Sequence, residues 1–124
     1  MQLLPQLTSA HALFLDFDGT LTELAPSPDA VRVATGLVPT ITALHAQLGG
    51  ALAIVTGRPA ADIDHFLAPL CLPLASEHGA QYRLGTISVP AAAPPQLAKV
   101  LQAAQDLAAR HPGLLVEHKS ASVA

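Results

Sequence analysis

Near its start the chain reads Phe14-Leu15-Asp16-Phe17-Asp18-Gly19-Thr20-Leu21. An apolar strand breaks here at two carboxylates spaced two residues apart, and a Gly-Thr turn follows. Alternate residues of a strand point to the same side, so Asp16 and Asp18 can converge on one small volume just past the strand end. Two like charges at such a short distance repel each other. A hard cation that prefers oxygen ligands, such as Mg²⁺, relieves this repulsion. The pattern predicts a cation site, and an ordinary strand that ends in an Asx turn is the alternative.

The same residues suit chemistry at phosphorus. With a cation bound, the Asp16 carboxylate can act as a nucleophile and form an aspartyl-phosphate. Asp18 can protonate the leaving oxygen and later take a proton from water. Gly19 lets the backbone turn sharply, and Thr20 offers a hydroxyl that can fix a neighbouring carboxylate.

The complete string Asp-Phe-Asp-Gly-Thr-Leu resembles the signature of the haloacid dehalogenase-like (HAD-like) phosphatases. The resemblance implies that Asp16 is the nucleophile and Asp18 the acid/base. It also implies Mg²⁺ as cofactor, held by Asp16 and Asp18, with the main-chain carbonyl oxygen of Asp18 as a metal ligand.

Composition and charge exclude several other classes. The length of 124 residues is that of one domain. Apolar residues make up 51% of the chain and charged residues only 12%, against about 25% charged in a typical domain. This excess of apolar residues predicts buried strands. No apolar run approaches the roughly 18 residues of a membrane span, and the N-terminus lacks a signal-peptide pattern, so we expect a cytoplasmic protein with no membrane partner. The net charge of −3, with six scattered Lys and Arg, argues against nucleic acid. Cys71 lies in an apolar setting that predicts a buried thiol without chemistry.

Strand and helix patterns alternate along the first part of the chain. Residues 12–17, 51–55 and 72–75 predict buried strands, and residues 81–84 and 86–89 predict a small hairpin. Two intervening helices are predicted from the apolar residues Leu37, Ile41, Leu44 and Leu48 and from Ile63, Phe66, Leu67 and Leu70. The order strand, helix, strand, helix, strand implies right-handed crossovers and a doubly wound parallel sheet. The predicted fold class is therefore α/β, which the resemblance refines to a HAD-like, Rossmannoid core.

The Ala/Pro stretch at residues 90–95 predicts a linker, because its prolines disfavour both helix and sheet. An amphipathic helix from residue 97 and a strand over 114–119 are predicted beyond it. We therefore divide the chain into a core, residues 1–92, and the incomplete beginning of an α+β cap domain, residues 93–124.

A second polar group follows the strand at 51–55. Ligands of parallel α/β sheets bind at the carboxyl ends of strands, and Thr56 lies at such an end. Its hydroxyl, the Gly57 amide and the amides at the start of the next helix can bind a phosphoryl group, unless Thr56 merely caps that helix. Thr56 also matches the phosphate-binding Ser/Thr of the HAD-like phosphatases. Arg58 can contact phosphate too, or pair with Glu77 or another carboxylate.

Three further segments narrow the resemblance to the trehalose-6-phosphate phosphatases. Thr-Gly-Arg-Pro at 56–59 and Glu-His-Gly-Ala at 77–80 look like that family, and Glu-His-Lys at 117–119 is similar to its sugar-contacting Glu-x-Lys segment in the cap. The resemblance implies a small-molecule sugar phosphate as partner, bound through His78, Glu117 and Lys119. From the residues alone, a polar turn explains His78 equally well, and a solvated strand face is the favoured explanation of Glu117 and Lys119. Association with a trehalose-phosphate synthase is left open.

Two features of the family pattern are missing. Such phosphatases need a downstream Lys or Arg that neutralises the phosphate and a later Gly-Asp-type acidic motif that completes the metal shell. Neither follows Lys119, and Lys99 lies on the predicted cap helix. We interpret the chain as an N-terminal portion of the enzyme, inactive alone.

These patterns leave one leading hypothesis and its rivals. The leading one is a Mg²⁺-dependent phosphomonoesterase of trehalose biosynthesis that hydrolyses trehalose 6-phosphate through an aspartyl-phosphate. A phosphatase of another sugar phosphate, such as a mannosyl-phosphoglycerate, is the rival of the same class. The rival from another class is a truncated, non-catalytic module that binds sugar phosphate or a synthase partner, which the missing motifs favour for this chain as given but not for its gene family. A receiver domain is set aside, because its acceptor Asp is absent from residues 72–76.

Overall fold

The computed structural model describes residues 6–124. Its five strands are β1 (Leu13–Leu15), β2 (Leu52–Val55), β3 (Leu74–Ser76), β4 (Gln81–Leu84) and β5 (Ile87–Val89). Its three α-helices are α1 (Leu37–Gln47), α2 (Ala60–Phe66) and α3 (Leu97–Arg110). Short 3₁₀ turns lie at Pro28–Ala30 and Glu77–Gly79.

The strands form one sheet in chain order, and this order sets where the strand ends lie. β1, β2 and β3 run parallel, with Leu13 beside Leu52 and Ile54 beside Leu74. The predicted α/β class is confirmed. The hairpin β4–β5 continues the same sheet in antiparallel fashion from β3, so the sheet is mixed. The three parallel strands therefore end at one edge of the sheet, where the polar segments follow.

The core explains why these residues form these elements. β2 buries Leu52 and Ile54 on one face, whereas Val55 on the other face is exposed, so the core lies against one face of this strand. Helices α1 and α2 contribute the buried Ile41 and Ile63, and Phe17 from the loop after β1 joins the same cluster. Because Phe17 is fully buried, it anchors the loop between the two carboxylates to the core.

Three predictions about local structure were wrong. Residues 114–119 form no strand, but a turn in which His118 makes an isolated antiparallel bridge to Val123. A strand needs a neighbour for its backbone groups, and this segment meets its own continuation instead, with Glu117 and Ala124 exchanging backbone hydrogen bonds. Helix α2 ends at Phe66, before the predicted Leu70, and Cys71 is exposed and not buried.

Within residues 6–124, no helix has the length and apolar character needed to cross a membrane.

Candidate active site

A cleft of about 670 Å³ opens where β1, β2 and β3 end. Every site residue predicted from the sequence lines it: Asp16, Asp18, Thr56, Gly57, Arg58, His78, Glu117 and Lys119. The parallel topology accounts for six of them, because segments that follow neighbouring parallel strands meet at the same edge. The last two come from the turn after α3, which closes one side of the cleft.

The loop after β1 presents the two carboxylates differently. Gly19 has a φ of +79°, a conformation that glycine adopts without strain, and its N–H donates to the Thr22 carbonyl at 2.8 Å. The buried Thr22 hydroxyl donates to the Phe17 carbonyl at 3.3 Å, so Thr22 is the threonine that fixes this turn, whereas Thr20 is exposed. Asp16 is exposed to the cleft and Asp18 is half-buried.

Asp18 is held by Arg58 through two parallel hydrogen bonds. Nε donates to Oδ2 at 2.7 Å and Nη2 donates to Oδ1 at 2.8 Å. The guanidinium also lies near the faces of Phe17 and Phe66, 5.8 and 5.5 Å from their ring centres, and Nη1 donates to the Pro28 carbonyl at 3.2 Å. The hydrogen bonds with Asp18 raise the pKa of the Arg58 guanidinium above its ordinary value, although burial acts against them. Of the two alternatives for Arg58, the structure shows the carboxylate pair, with Asp18 as partner and not Glu77.

Thr56 is buried, only 4% exposed, and its hydroxyl faces its own loop. The hydroxyl oxygen accepts the Arg58 N–H at 3.1 Å, and helix α2 has Pro59 at its N-cap with no side-chain cap. The cap alternative for Thr56 is therefore wrong. Since the oxygen accepts this bond, the hydroxyl proton is free to point into the cleft.

Gly57 is enclosed from two sides. A Cβ at this position would lie 2.5 Å from Cε1 and 2.7 Å from Nε2 of the His78 imidazole, so only glycine lets the ring pack there. From the other side, Lys119 donates from Nζ to the Gly57 carbonyl at 3.0 Å. The His78 N–H donates to the Thr56 carbonyl at 3.2 Å. The predicted phosphate loop and the predicted sugar residues thus touch through the Gly57 peptide.

Glu77 is the residue that sequence reasoning missed. It is only 2% exposed, and its carboxylate accepts hydrogen bonds from the Ser120 hydroxyl at 2.6 Å and the Ala121 N–H at 3.2 Å. Its backbone has a φ of +48°, which a non-glycine residue rarely adopts. The signal in the sequence is its place at the start of the Glu-His-Gly-Ala segment at 77–80, to which we assign a role only through His78.

The groups that could bind a metal ion in the cleft are oxygen atoms, and many of them carry negative charge. Its lining carries the carboxylates of Asp16, Asp18, Asp29, Asp62 and Glu117. Oxygen donors of this kind suit Mg²⁺. Across residues 6–124, however, no group of three or more Asp, Glu, His or Cys side chains is arranged to hold a metal ion. Both carboxylate oxygens of Asp18 accept hydrogen bonds from Arg58, whereas the Asp16 carboxylate accepts none within the described residues.

Comparison with known proteins places the chain in a family. A family model described as trehalose-phosphatase matches residues 14–124. A probable trehalose-phosphate phosphatase of Sinorhizobium fredii is 44% identical over 114 residues, and the trehalose-phosphate phosphatase of Mycolicibacterium paratuberculosis is 35% identical over 118. Each match covers 91% of this chain but only 43% and 30% of the relative.

Solved structures agree in fold. A trehalose-6-phosphate phosphatase related protein superposes with a TM-score of 0.71 at 27% identity, over 91% of this chain and 50% of its own. The C-terminal domain of the Candida albicans trehalose-6-phosphate phosphatase gives a TM-score of 0.77 at 24% identity, over 90% and 40%, which bears on the fold alone. The chain belongs to the trehalose-phosphatase family.

Proposed function

We propose that the cleft is the phosphoryl-transfer site of a Mg²⁺-dependent phosphatase that hydrolyses trehalose 6-phosphate to trehalose and phosphate. The observation that carries the proposal is the meeting of Asp16, the Arg58–Asp18 pair, Thr56 and Lys119 around one cleft. Family membership supports the same reaction class.

Two displacements at phosphorus make up the reaction. In the first, a carboxylate oxygen of Asp16 bonds to phosphorus while the bond from phosphorus to the sugar oxygen breaks, and Asp18 gives that oxygen a proton. In the second, a water oxygen bonds to phosphorus while the bond to Asp16 breaks, and Asp18 takes the proton from water. Asp16 is exposed to the cleft and can approach a substrate, and Asp18 is held in one orientation by Arg58.

The phosphoryl group needs donors, and the loop after β2 offers them. We assign the Thr56 hydroxyl and the Gly57 amide to its oxygens, with Arg58 as the nearest cation. Because Nε and Nη2 of Arg58 bind Asp18, its contact with phosphate requires Nη1, which now lies 3.2 Å from the Pro28 carbonyl and 3.7 Å from Asp62.

A divalent cation fits this site electrostatically, because a phosphate anion would otherwise meet the carboxylates of the lining. We assign the Asp16 carboxylate and the Asp18 main-chain carbonyl as its ligands from this chain. When bound, Mg²⁺ would neutralise charge on the phosphoryl oxygens.

The sugar end of the substrate lies on the other side of the cleft in this proposal. Lys119 and Glu117 form a 3.5 Å ion pair there, and the His78 imidazole packs against Gly57. Hydroxyl groups of a disaccharide match such an array of donors and acceptors.

The test is phosphate release by the full-length product of the reading frame that encodes these residues, measured in Mg²⁺ on a panel of sugar phosphates. We expect trehalose 6-phosphate to give the highest kcat/KM and EDTA to abolish turnover. A higher kcat/KM for another sugar phosphate, such as a mannosyl-phosphoglycerate, would overturn the assigned substrate. Binding of sugar phosphates without turnover of any would favour the non-catalytic module.

A further inference from the structure

Glu77 and the turn at 117–124 form a contact that the proposed reaction does not use. Two groups of the turn reach the buried carboxylate, the Ser120 hydroxyl at 2.6 Å and the Ala121 N–H at 3.2 Å. A carboxylate that is 2% exposed is costly to bury unless hydrogen bonds satisfy it. The turn therefore supplies what the buried Glu77 requires.

The backbone holds Glu77 rigidly on the other side. Its N–H donates to the Arg58 carbonyl at 3.0 Å, and the next N–H, of His78, donates to the Thr56 carbonyl at 3.2 Å. Glu77 and His78 both have positive φ values, 48° and 58°. These hydrogen bonds fix the Glu77 main chain to the loop that carries Thr56 and Arg58.

Lys119 lies directly before the anchored residues. Its Nζ reaches the Gly57 carbonyl at 3.0 Å, and its side chain is 11% exposed. A lysine side chain loses much rotamer freedom when it is held in one position, so a single hydrogen bond from Nζ is a weak way to hold the turn. The two hydrogen bonds to a buried charge are the stronger attachment.

We propose that Glu77 is a positioning residue, whose buried carboxylate fastens Ser120 and Ala121 to the phosphate loop and so places Lys119 against the substrate. The proposal rests on the proposed function for the role of Lys119 as a sugar contact. In this proposal, the attachment at Glu77 determines the distance between the phosphate end and the sugar end of the cleft.

The test uses Ser120→Ala in the full-length product, because this exposed hydroxyl can be removed without a cavity in the core. We expect KM for trehalose 6-phosphate to rise roughly tenfold to a hundredfold, and kcat/KM for p-nitrophenyl phosphate, which has no sugar, to stay within about twofold. Ser120→Thr keeps the hydroxyl and should restore KM. Ser122→Ala is the matched control, since its hydroxyl makes no hydrogen bond within the described residues.

A double-mutant cycle distinguishes an effect of Ser120 that acts through Lys119 from a local effect of Ser120 itself. If Glu77 acts through Lys119, Ser120→Ala should add little to the loss already caused by Lys119→Ala. Fully additive losses, equal losses on both substrates, or an unchanged KM in Ser120→Ala would each overturn the proposal.

A second measurement does not depend on activity. Hydrogen exchange of the Ala121 amide should be slow in the parent and roughly tenfold faster or more in Glu77→Gln and in Ser120→Ala, but not in Ser122→Ala. Unchanged exchange in both variants would show that the attachment does not exist in solution. If the parent does not hydrolyse trehalose 6-phosphate while the exchange behaves as expected, the proposed substrate fails and the attachment stands.

Discussion

Asp16 and Asp18 have different surroundings, on which the different roles proposed for them rest. Asp16 is exposed to the cleft, whereas both oxygens of Asp18 accept hydrogen bonds from Arg58. A guanidinium held bidentately and stacked near two aromatic rings has little freedom, so it fixes the orientation of the carboxylate. A nucleophile needs access, and a group that transfers a proton needs a fixed direction. Asp16 has the access that its proposed role needs, and proton transfer by Asp18 requires that one of its oxygens be released from Arg58.

Thr56→Val tests the phosphate assignment, because the change keeps the shape but removes the hydroxyl. A hydrogen bond to a charged partner is worth about 1.5–3 kcal/mol, which corresponds to roughly a tenfold to hundredfold loss in kcat/KM. Inhibition by inorganic phosphate should weaken in parallel, and Thr56→Ser should retain most of the activity. If phosphate inhibits the parent and the valine variant equally, Thr56 only shapes its own loop.

Lys119→Ala should impair turnover of trehalose 6-phosphate and spare p-nitrophenyl phosphate, because Lys119 is assigned to the sugar. Lys99→Ala is the matched control, since Lys99 is an exposed lysine on α3. Equal losses on both substrates would indicate a folding defect instead of a lost sugar contact.

Packing between the elements explains why glycine fits at position 57, in the loop after β2. The His78 imidazole lies against Gly57, and His78 is itself held at the end of β3 by the Thr56 carbonyl. Farther from the cleft, Arg83 on β4 binds Asp64 on α2 bidentately at 2.7 and 2.9 Å, which ties the hairpin to the helix. The ends of β2 and β3 are thus fixed relative to each other.

Gly57→Ala should displace the His78 imidazole from its position against residue 57. A Cβ at 2.5 Å from the ring forces the imidazole to rotate away, and we expect a loss of about 1–3 kcal/mol in the free energy of unfolding, measured with urea. In a His78→Ala background the same substitution should cost much less, because the obstacle is gone. An equal cost in both backgrounds would place the strain elsewhere in the loop.

Local patterns predicted the fold and the strand ends well, and distant contacts could not be predicted. The strands β1, β2 and β3 follow from apolar runs broken by Asp or Gly, and topology then brings the polar segments after them together. Arg58 and Asp18 are 40 positions apart, and Ser120 and Glu77 are 43 apart, so no spacing rule pairs them. The strand expected over 114–119 failed because a strand depends on a partner that the segment itself does not reveal.

On the scale of the whole molecule, the cleft brings together part of the proposed phosphatase site. The described residues bring together the candidate nucleophile, proton donor and phosphate loop, but Arg58 is engaged with Asp18 and Lys119 with the Gly57 carbonyl. The chain spans less than half the length of the relatives it matches. None of the residues of α3 is buried, so its apolar side chains, among them Val100 and Leu107, remain exposed.

Residues 1–124 purified alone should therefore show no phosphatase activity above background in Mg²⁺. Phosphate monoester hydrolysis is among the slowest uncatalysed reactions, and enzymes accelerate it by up to about 10²¹-fold, which requires neutralisation of the transferring group. We also expect this fragment to self-associate through the exposed face of α3. Phosphate release from trehalose 6-phosphate, with the Asp16→Asn fragment as blank, is the assay. Multiple turnover that depends on Asp16 would show that the residues present are sufficient.

The most direct test is to identify the residue that carries the phosphoryl group during turnover. The full-length product is mixed with trehalose 6-phosphate in Mg²⁺, quenched in acid within the first turnover, and mapped by peptide mass spectrometry, in parallel with its Asp16→Asn variant. We predict one added phosphoryl group on the peptide that contains Asp16, and neither label nor turnover in the variant, because the amide keeps the shape but loses the nucleophilic charge. A phosphoryl group on another residue, or near-normal turnover by Asp16→Asn, would contradict the assignment of Asp16 as the nucleophile.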